Sequence, residues 1–359
     1  MTTIKKVSIT VLIVMLAVIM TLFFYRIYLK NYKYKNTIVI KLTGGIGNQL
    51  YQVAFGIALE KKTGVKTQYD TSELNKELKK KKNRIWVRWY FDHFNVDAKK
   101  WTPNPLEKAI VKITLKERNC NDKYYNYDEK CFQANNVYYY KQAFENELYF
   151  KEYYDDIREA FLKLNKNYEY ELDEKNKAMI EEMQSHKNSV VINIRLGDFL
   201  SNENRQFNVC NFDYYKRAMN IFENMEDVHY YIFSDDIESA KKYFKPNKPH
   251  TYVDINPINK PYLNLILSAS AKHNIVSNST FAIWAGMLNN NPNKIVVCPD
   301  VFYRVGARKE KNTRWVMENI DEIANENIYP KEWIRIDTTN DEPINADKAG
   351  IDPLKNFTS

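Results

Sequence analysis

Glycine is scarce in this sequence: nine residues in 359, four of which (Gly44, Gly45, Gly47 and Gly56) fall within thirteen positions. A chain so poor in glycine that still concentrates it in one place needs bare backbone there, for a turn or for the close approach of a bulky group. Cysteine is scarce as well. The four cysteines (Cys120, Cys131, Cys210 and Cys298) fit no zinc-ligand spacing, although an even count allows two disulfides in an oxidising compartment. The five histidines show no metal-ligand spacing and no Asp-x-Asp triplet occurs, which leaves a metal clamp on a diphosphate without support. Nucleophile elbows, H-E-x-x-H and C-x-x-C are absent too, lowering hydrolase, metalloprotease and dithiol-redox readings. Heptads and internal repeats are missing, so neither a coiled coil nor a solenoid is expected.

What is present is enough apolar material (44% hydrophobic, 14% aromatic) for a sizeable core, and enough length for two domains. A net charge of +8 favours an anionic ligand without requiring nucleic acid, and no nucleic-acid partner is expected. The basic stretch Lys76, Lys79 to Lys82, Arg84 and Arg88, interleaved with Trp86, Trp89 and Tyr90, reads as a solvated helix face followed by core aromatics. From Val7 to Tyr25 runs an uncharged segment of nineteen residues, just long enough to cross a bilayer core. It ends in large aromatics rather than small cleavage-site residues, so a retained anchor is expected, while the flanking charges leave its orientation open.

After the anchor, Thr37 to Leu42 reads as a buried strand. A glycine-rich turn, a helix with apolar Leu50, Val53, Ala54, Ile57 and Ala58, and a second strand at Val65 to Tyr69 complete a βαβ unit. From Val190 to Cys298 strands and helices alternate, which implies a parallel, doubly wound sheet. In such sheets ligands bind beyond the carboxyl ends of the strands. Four groups of residues fall there. Gly44, Gly45 and Gly47 with Asn48 offer main-chain and side-chain amides at a helix start, although a tight turn without ligand explains the same letters. Arg195, following an apolar strand, can fork onto a phosphate or pair with Asp198 to stabilise a turn. Ser234 and Asp235 can face ribose or base, with Asp236 expected to cap the next helix. Asn278, Ser279, Thr280 and Phe281 open a helix where hydroxyls and free amides can meet an anion, or where plain N-capping accounts for them.

These motifs together resemble the α-1,2-fucosyltransferases of glycosyltransferase family eleven. The best pieces are Gly44-Gly45-Ile46-Gly47-Asn48-Gln49-Leu50-Tyr51-Gln52, Asp213 to Ala218, Phe233 to Glu238 and Lys272 to Phe281, with Tyr329 to Ile334 similar to that family's end. The resemblance implies a GT-B fold, two Rossmann-like α/β halves facing a cleft, and an inverting, metal-independent transfer of L-fucose from GDP-β-L-fucose to a galactose hydroxyl. It needs no cofactor beyond this donor. Arg195 would hold the donor phosphate, Ser279, Thr280 and Phe281 would line the pyrophosphate, Asp235 would sit near the guanosine, and Asn48 with its glycines near fucose and diphosphate. Where the family has His-x-Arg-Arg-x-Asp, this chain has Asn193, Arg195, Leu196 and Asp198, so a histidine and a second arginine are lost. Gln142-Ala143-Phe144-Glu145 stands where the family has Gly-Tyr-Trp-Gln, which leaves acceptor choice open.

The sequence therefore predicts an anchor and short stem (1–36), an acceptor-side half (37–176), a half binding the GDP-sugar (177–337) and a polar tail (338–359). A single-pass membrane protein is expected, Golgi type II in a eukaryote and otherwise on a cytoplasmic membrane face. Its partners would be GDP-fucose, a glycan ending in galactose and the bilayer. A carboxylate should assist the attacking hydroxyl, with Asp198 and Glu145 as candidates and Asp198 more plainly structural. A protein O-fucosyltransferase, another GDP-sugar transferase, or an inactive glycan- or nucleotide-binding membrane protein are the alternatives.

Overall fold

The computed structural model describes residues 2–74, 87–114, 125–133, 138–140, 142–304 and 327–351. Lys76, Lys79 to Lys82, Arg84, Trp86 and Cys120 lie outside the described residues. Two parallel sheets organise the chain, and their inner strands are buried on both faces, as parallel sheets covered by helices require. In the first sheet β1 (Thr37–Lys41) lies between β2 (Lys66–Asp70) and β3 (Tyr138–Tyr140). The second takes the order β6-β5-β4-β7-β8-β9, with β4 at Asn188–Ile194, β5 at Val228–Ser234 and β6 at His250–Tyr252. Its other side is β7 at His273–Ile275, β8 at Val296–Pro299 and β9 at Ile334–Ile336.

The chain leaves β4 for β5 on one side and returns to β7 on the other, so the carboxyl end of β4 is a topological switch point where a crevice opens. Register puts Ile194 opposite Ser234, so Arg195 and Asp235 emerge side by side. β6 and β9 were not anticipated: three residues each, at the two edges, they carry too little alternation to stand out from loop.

The sheets are separate, but the apolar core is not divided at residue 176. Trp284, on the helix Thr280–Leu288 of the second half, lies with its ring 5.0 Å from Tyr51 on the helix Ile46–Thr63 of the first, and stacks on Phe150 at 5.3 Å. All three side chains are buried. Aromatic rings of this size seal the two halves into one body at their helices.

Three points that the sequence left open are visible in the structure. Two disulfides do not form, because Cys210 and Cys298 are buried free thiols, while Cys131 is disulfide-bonded. The polar tail is packed as far as Ile351: Arg217 pairs with Asp341 at 2.6 Å, Asn208 exchanges hydrogen bonds with the Ile344 backbone, and Ile351 is buried. The segment read as a short stem is folded. A helix over Thr2–Tyr28 runs into a π-helical turn, Leu29–Lys33, and Leu29 and Tyr34 are buried with Val39, Trp101 and Val111. Residues Ile9–Lys33 are long and apolar enough to cross a membrane, and Ile9 to Phe24 project away from the rest of the protein.

Candidate active site

The glycine turn follows β1. Gly44 has φ +73°, the left-handed region that glycine enters without strain, and Gly45 is the N-cap of the helix Ile46–Thr63. Two buried glutamines fix the turn: Gln49 donates to the Gly44 carbonyl at 2.9 Å, and Gln52 accepts from the Thr43 amide at 3.1 Å. Gly47 is bare for a different reason. A Cβ there would lie 2.5 Å from the Phe281 amide nitrogen and 2.5 Å from Thr280 Oγ1. The amino ends of two helices, one from each half, therefore abut at this glycine, and their free first-turn amides and positive dipole ends converge on one place. Such a place suits a diphosphate.

Across this junction the Thr280 hydroxyl donates to Asn48 Oδ1 at 2.8 Å, and Asn48 Nδ2 donates to Glu145 Oε1 at 3.0 Å. Ser279 occupies the N-cap of its helix without a side-chain capping hydrogen bond, so the bland reading of Ser279 and Thr280 as caps does not hold. Glu145 is buried, and burial pushes its carboxyl up to about 7 despite a hydrogen bond with Tyr125 that favours the anion. Its neighbours Phe144 (φ 56°) and Tyr125 (φ 64°) both take the left-handed conformation, a strained choice for aromatic residues. Phe144 is held there by stacking on Phe55 at 3.7 Å, and Tyr125 by a hydroxyl–hydroxyl hydrogen bond with Tyr303 and by Asn146, which donates to its carbonyl.

At the switch point Arg195 is clamped between two carboxylates, Asp198 at 2.6 Å and Asp235 at 3.1 Å, and its guanidinium stacks 5.0 Å over Phe199. Nε of Arg195 is buried with no hydrogen-bond partner among the described residues. Burial raises the Asp235 carboxyl more than the Arg195 charge lowers it, and the Leu196 amide donates to it at 2.9 Å. Asp236 caps its helix through the Ser239 amide, as expected, and Ser234 Oγ accepts from the Asp236 amide.

Two expected donor contacts point elsewhere. Asn193 is buried on β4 and turns toward Ser268 Oγ at 3.4 Å. Asn278 donates to the Phe207 and Phe302 carbonyls and accepts from Cys210, so its side chain is buried and engaged within the protein. Conversely, the glutamine stitching of the turn, the Tyr125 support of Glu145 and the Phe199 platform under Arg195 were missed. Gln49 and Gln52 stand in the glycine-turn motif with no partner that spacing could name, and Tyr125 lies in a stretch without periodicity.

The sequence model described as glycosyl transferase family 11 matches residues 37–336. The chain belongs to that family. The match opens on the first residue of β1 and closes on the last of β9, so both sheets fall inside it and the apolar amino-terminal helix outside. This family-11 chain is a glycosyltransferase by that membership. It is 27% identical over 319 residues to an α-1,2-colitosyltransferase of Escherichia coli, covering 84% of this chain and 99% of that protein. The O-antigen biosynthesis glycosyltransferase WbnK, also of Escherichia coli, is 26% identical over 305 residues, covering 76% of this chain and 96% of the relative. Among solved structures, the fucosyltransferase NodZ from Bradyrhizobium superimposes with a TM-score of 0.41 at 15% identity, over 69% of this chain and 91% of NodZ. Among the described residues no cluster of three or more His, Cys, Asp or Glu side chains is arranged to hold a metal ion.

Proposed function

We propose that this family-11 glycosyltransferase is a fucosyltransferase of GT-B design that moves L-fucose from GDP-β-L-fucose to a glycan hydroxyl, the 2-OH of a terminal galactose. It would invert the anomeric centre, use no metal and be held to a membrane by its amino-terminal helix. The observation that carries this reading is the junction at Gly47, where two helix amino ends meet and Asn48 links Thr280 to Glu145.

In this mechanism the diphosphate lies against the first-turn amides of the two helices and the Ser279 and Thr280 hydroxyls. These groups and Arg195 take up the charge that grows on GDP as the bond to fucose breaks. Glu145 removes the proton of the attacking hydroxyl, since burial pushes its carboxyl up to about 7 and so makes its anion a stronger base than an ordinary carboxylate. Asp198 is the weaker candidate for that role because its carboxylate is already engaged by Arg195.

A second donor is favoured by one specific finding, the relative that transfers colitose, which is the 3-deoxy counterpart of L-fucose. The test is linkage analysis of the products formed from GDP-fucose, and from its 3-deoxy analogue in competition, on a panel of galactose-terminated acceptors. An α-1,2-fucosylated product supports the proposal. Preference for the deoxy donor moves the reading to colitose, and no product from either donor removes it.

A further inference from the structure

The helix Pro105–Thr114 buries Val111 in the body of the protein and carries a second apolar face turned outward. Pro105, Leu106, Ala109 and Ile113 face outward, with Leu106 48% and Ile113 73% exposed, while the charged residues turn toward the protein. Glu107 is buried, where it accepts from Tyr25 Oη at 3.1 Å and from the Asn104 amide at 3.1 Å and pairs with Lys33. Lys112 reaches inward to Asp70 at 2.6 Å. In water such a face is a cost, since a solvated helix gains by showing its charges and hiding its apolar side.

Its position supplies the occupant. Tyr25 and Lys33, both bonded to Glu107, belong to the apolar amino-terminal helix and its π-helical end, so the outward face of Pro105–Thr114 sits beside the point where that helix meets the globular body. Tyr25, Tyr28 and Tyr32 form a stacked ladder at the same level, with ring centroids 6.2 and 6.0 Å apart. Aromatic residues gather in this way at the boundary between hydrocarbon and water.

We propose that Pro105–Thr114 lies in the interfacial layer of the bilayer that the amino-terminal helix crosses, with Leu106, Ala109 and Ile113 against the acyl chains. This rests on the anchor reading of that helix given under the proposed function. Lys108 and Lys112 both reach inward to Asp70, at 3.7 and 2.6 Å, which leaves the outward face uncharged. The buried Glu107 contacts make the two membrane elements one rigid base, so the catalytic body rests on the membrane at a fixed tilt rather than swinging from a stem.

The experiment uses the full chain reconstituted in vesicles of phosphatidylcholine and phosphatidylglycerol, with an environment-sensitive fluorophore on a single introduced cysteine. The native Cys210 and Cys298 are buried and free, and the wild-type chain reports their background labelling. Three variants are compared: Ile113→Cys, Ile13→Cys in the amino-terminal helix, and Tyr170→Cys, which is 74% exposed and remote in sequence from both elements. The proposal expects the label at 113 to be blue-shifted and quenched several-fold more than that at 170 by lipids carrying a shallow nitroxide, while the label at 13 answers to a deep one. A water-like label at 113 together with a buried label at 13 overturns the interfacial helix and leaves the anchor standing. Water-like labels at both positions overturn the anchor and this proposal with it.

Discussion

Thr280 and Asn48 are 232 residues apart in sequence, and the hydroxyl of one donates to the amide oxygen of the other at 2.8 Å across the seam between the two halves. The same asparagine holds Glu145 with its other amide atom, so one side chain couples a helix start, a glycine turn and the candidate base. Removing either partner should act on the same step. Asn48→Ala and Thr280→Val are each expected to lower kcat by about tenfold to a hundredfold, and the double variant should be little worse than Asn48→Ala alone. Additive losses in a double-mutant cycle would show that the two residues act independently.

Gly47 has no room for a methyl group. A Cβ placed 2.5 Å from the Phe281 amide nitrogen meets backbone rather than a flexible side-chain end, so Gly47→Ala must push the two helices apart. The expected cost is about 1–3 kcal/mol in stability, with a larger proportional loss in kcat/KM because the converging amides separate. Thermal melting and initial rates measured on one preparation check this. Wild-type rates in the alanine variant would show that the seam is not the donor site.

The pH dependence follows from Glu145. Burial raises its carboxyl from 4.5 to about 7, so between these values the folded chain holds a proton that the unfolded chain has released. Stability linked to this group is fully present below about 4.5 and is lost as pH rises through about 7, by about 3 kcal/mol in all. Activity should move the opposite way, rising through the same region as the base ionises. Glu145→Gln should flatten both profiles above pH 5, raise the melting temperature at pH 8 and cost on the order of a hundredfold in kcat. A wild-type pH–rate profile surviving in that variant would assign the base elsewhere.

Arg195 is paired twice before any donor arrives. A donor phosphate must compete with Asp198, the more exposed of its two carboxylates, whereas the more enclosed Asp235 can stay as its support. Asp198→Asn is therefore expected to lower the KM for the donor with kcat little changed, while Arg195→Ala should lose about a hundredfold in kcat/KM and also destabilise the fold by leaving Asp235 unpaired. Steady-state kinetics separates the roles: a collapse of kcat in Asp198→Asn would make that carboxylate the base after all.

The sequence alone determined the strand-and-turn grammar of this protein. Ile38 to Ile40, Val190 to Ile194 and Tyr230 to Phe233 are largely apolar runs, broken only by Asn193 and the tyrosine hydroxyls, that read as buried parallel strands, and the residues following them marked the candidate site. The clustering of glycines at 44, 45 and 47 was legible for the same local reason, since φ and contact at a turn are set by the residue that occupies it. Only the tertiary structure decided which loops meet. Asn278 and Asp236 carry the same kind of letters as Ser279 and Asp235, yet the first pair is spent on a loop and a helix cap while the second borders the candidate site, a distinction of direction that no spacing encodes. The raised carboxyl of Glu145 and the outward apolar face of Pro105–Thr114 belong to the same class: both depend on what surrounds a side chain after folding, and a linear pattern specifies neighbours along the chain rather than neighbours in space.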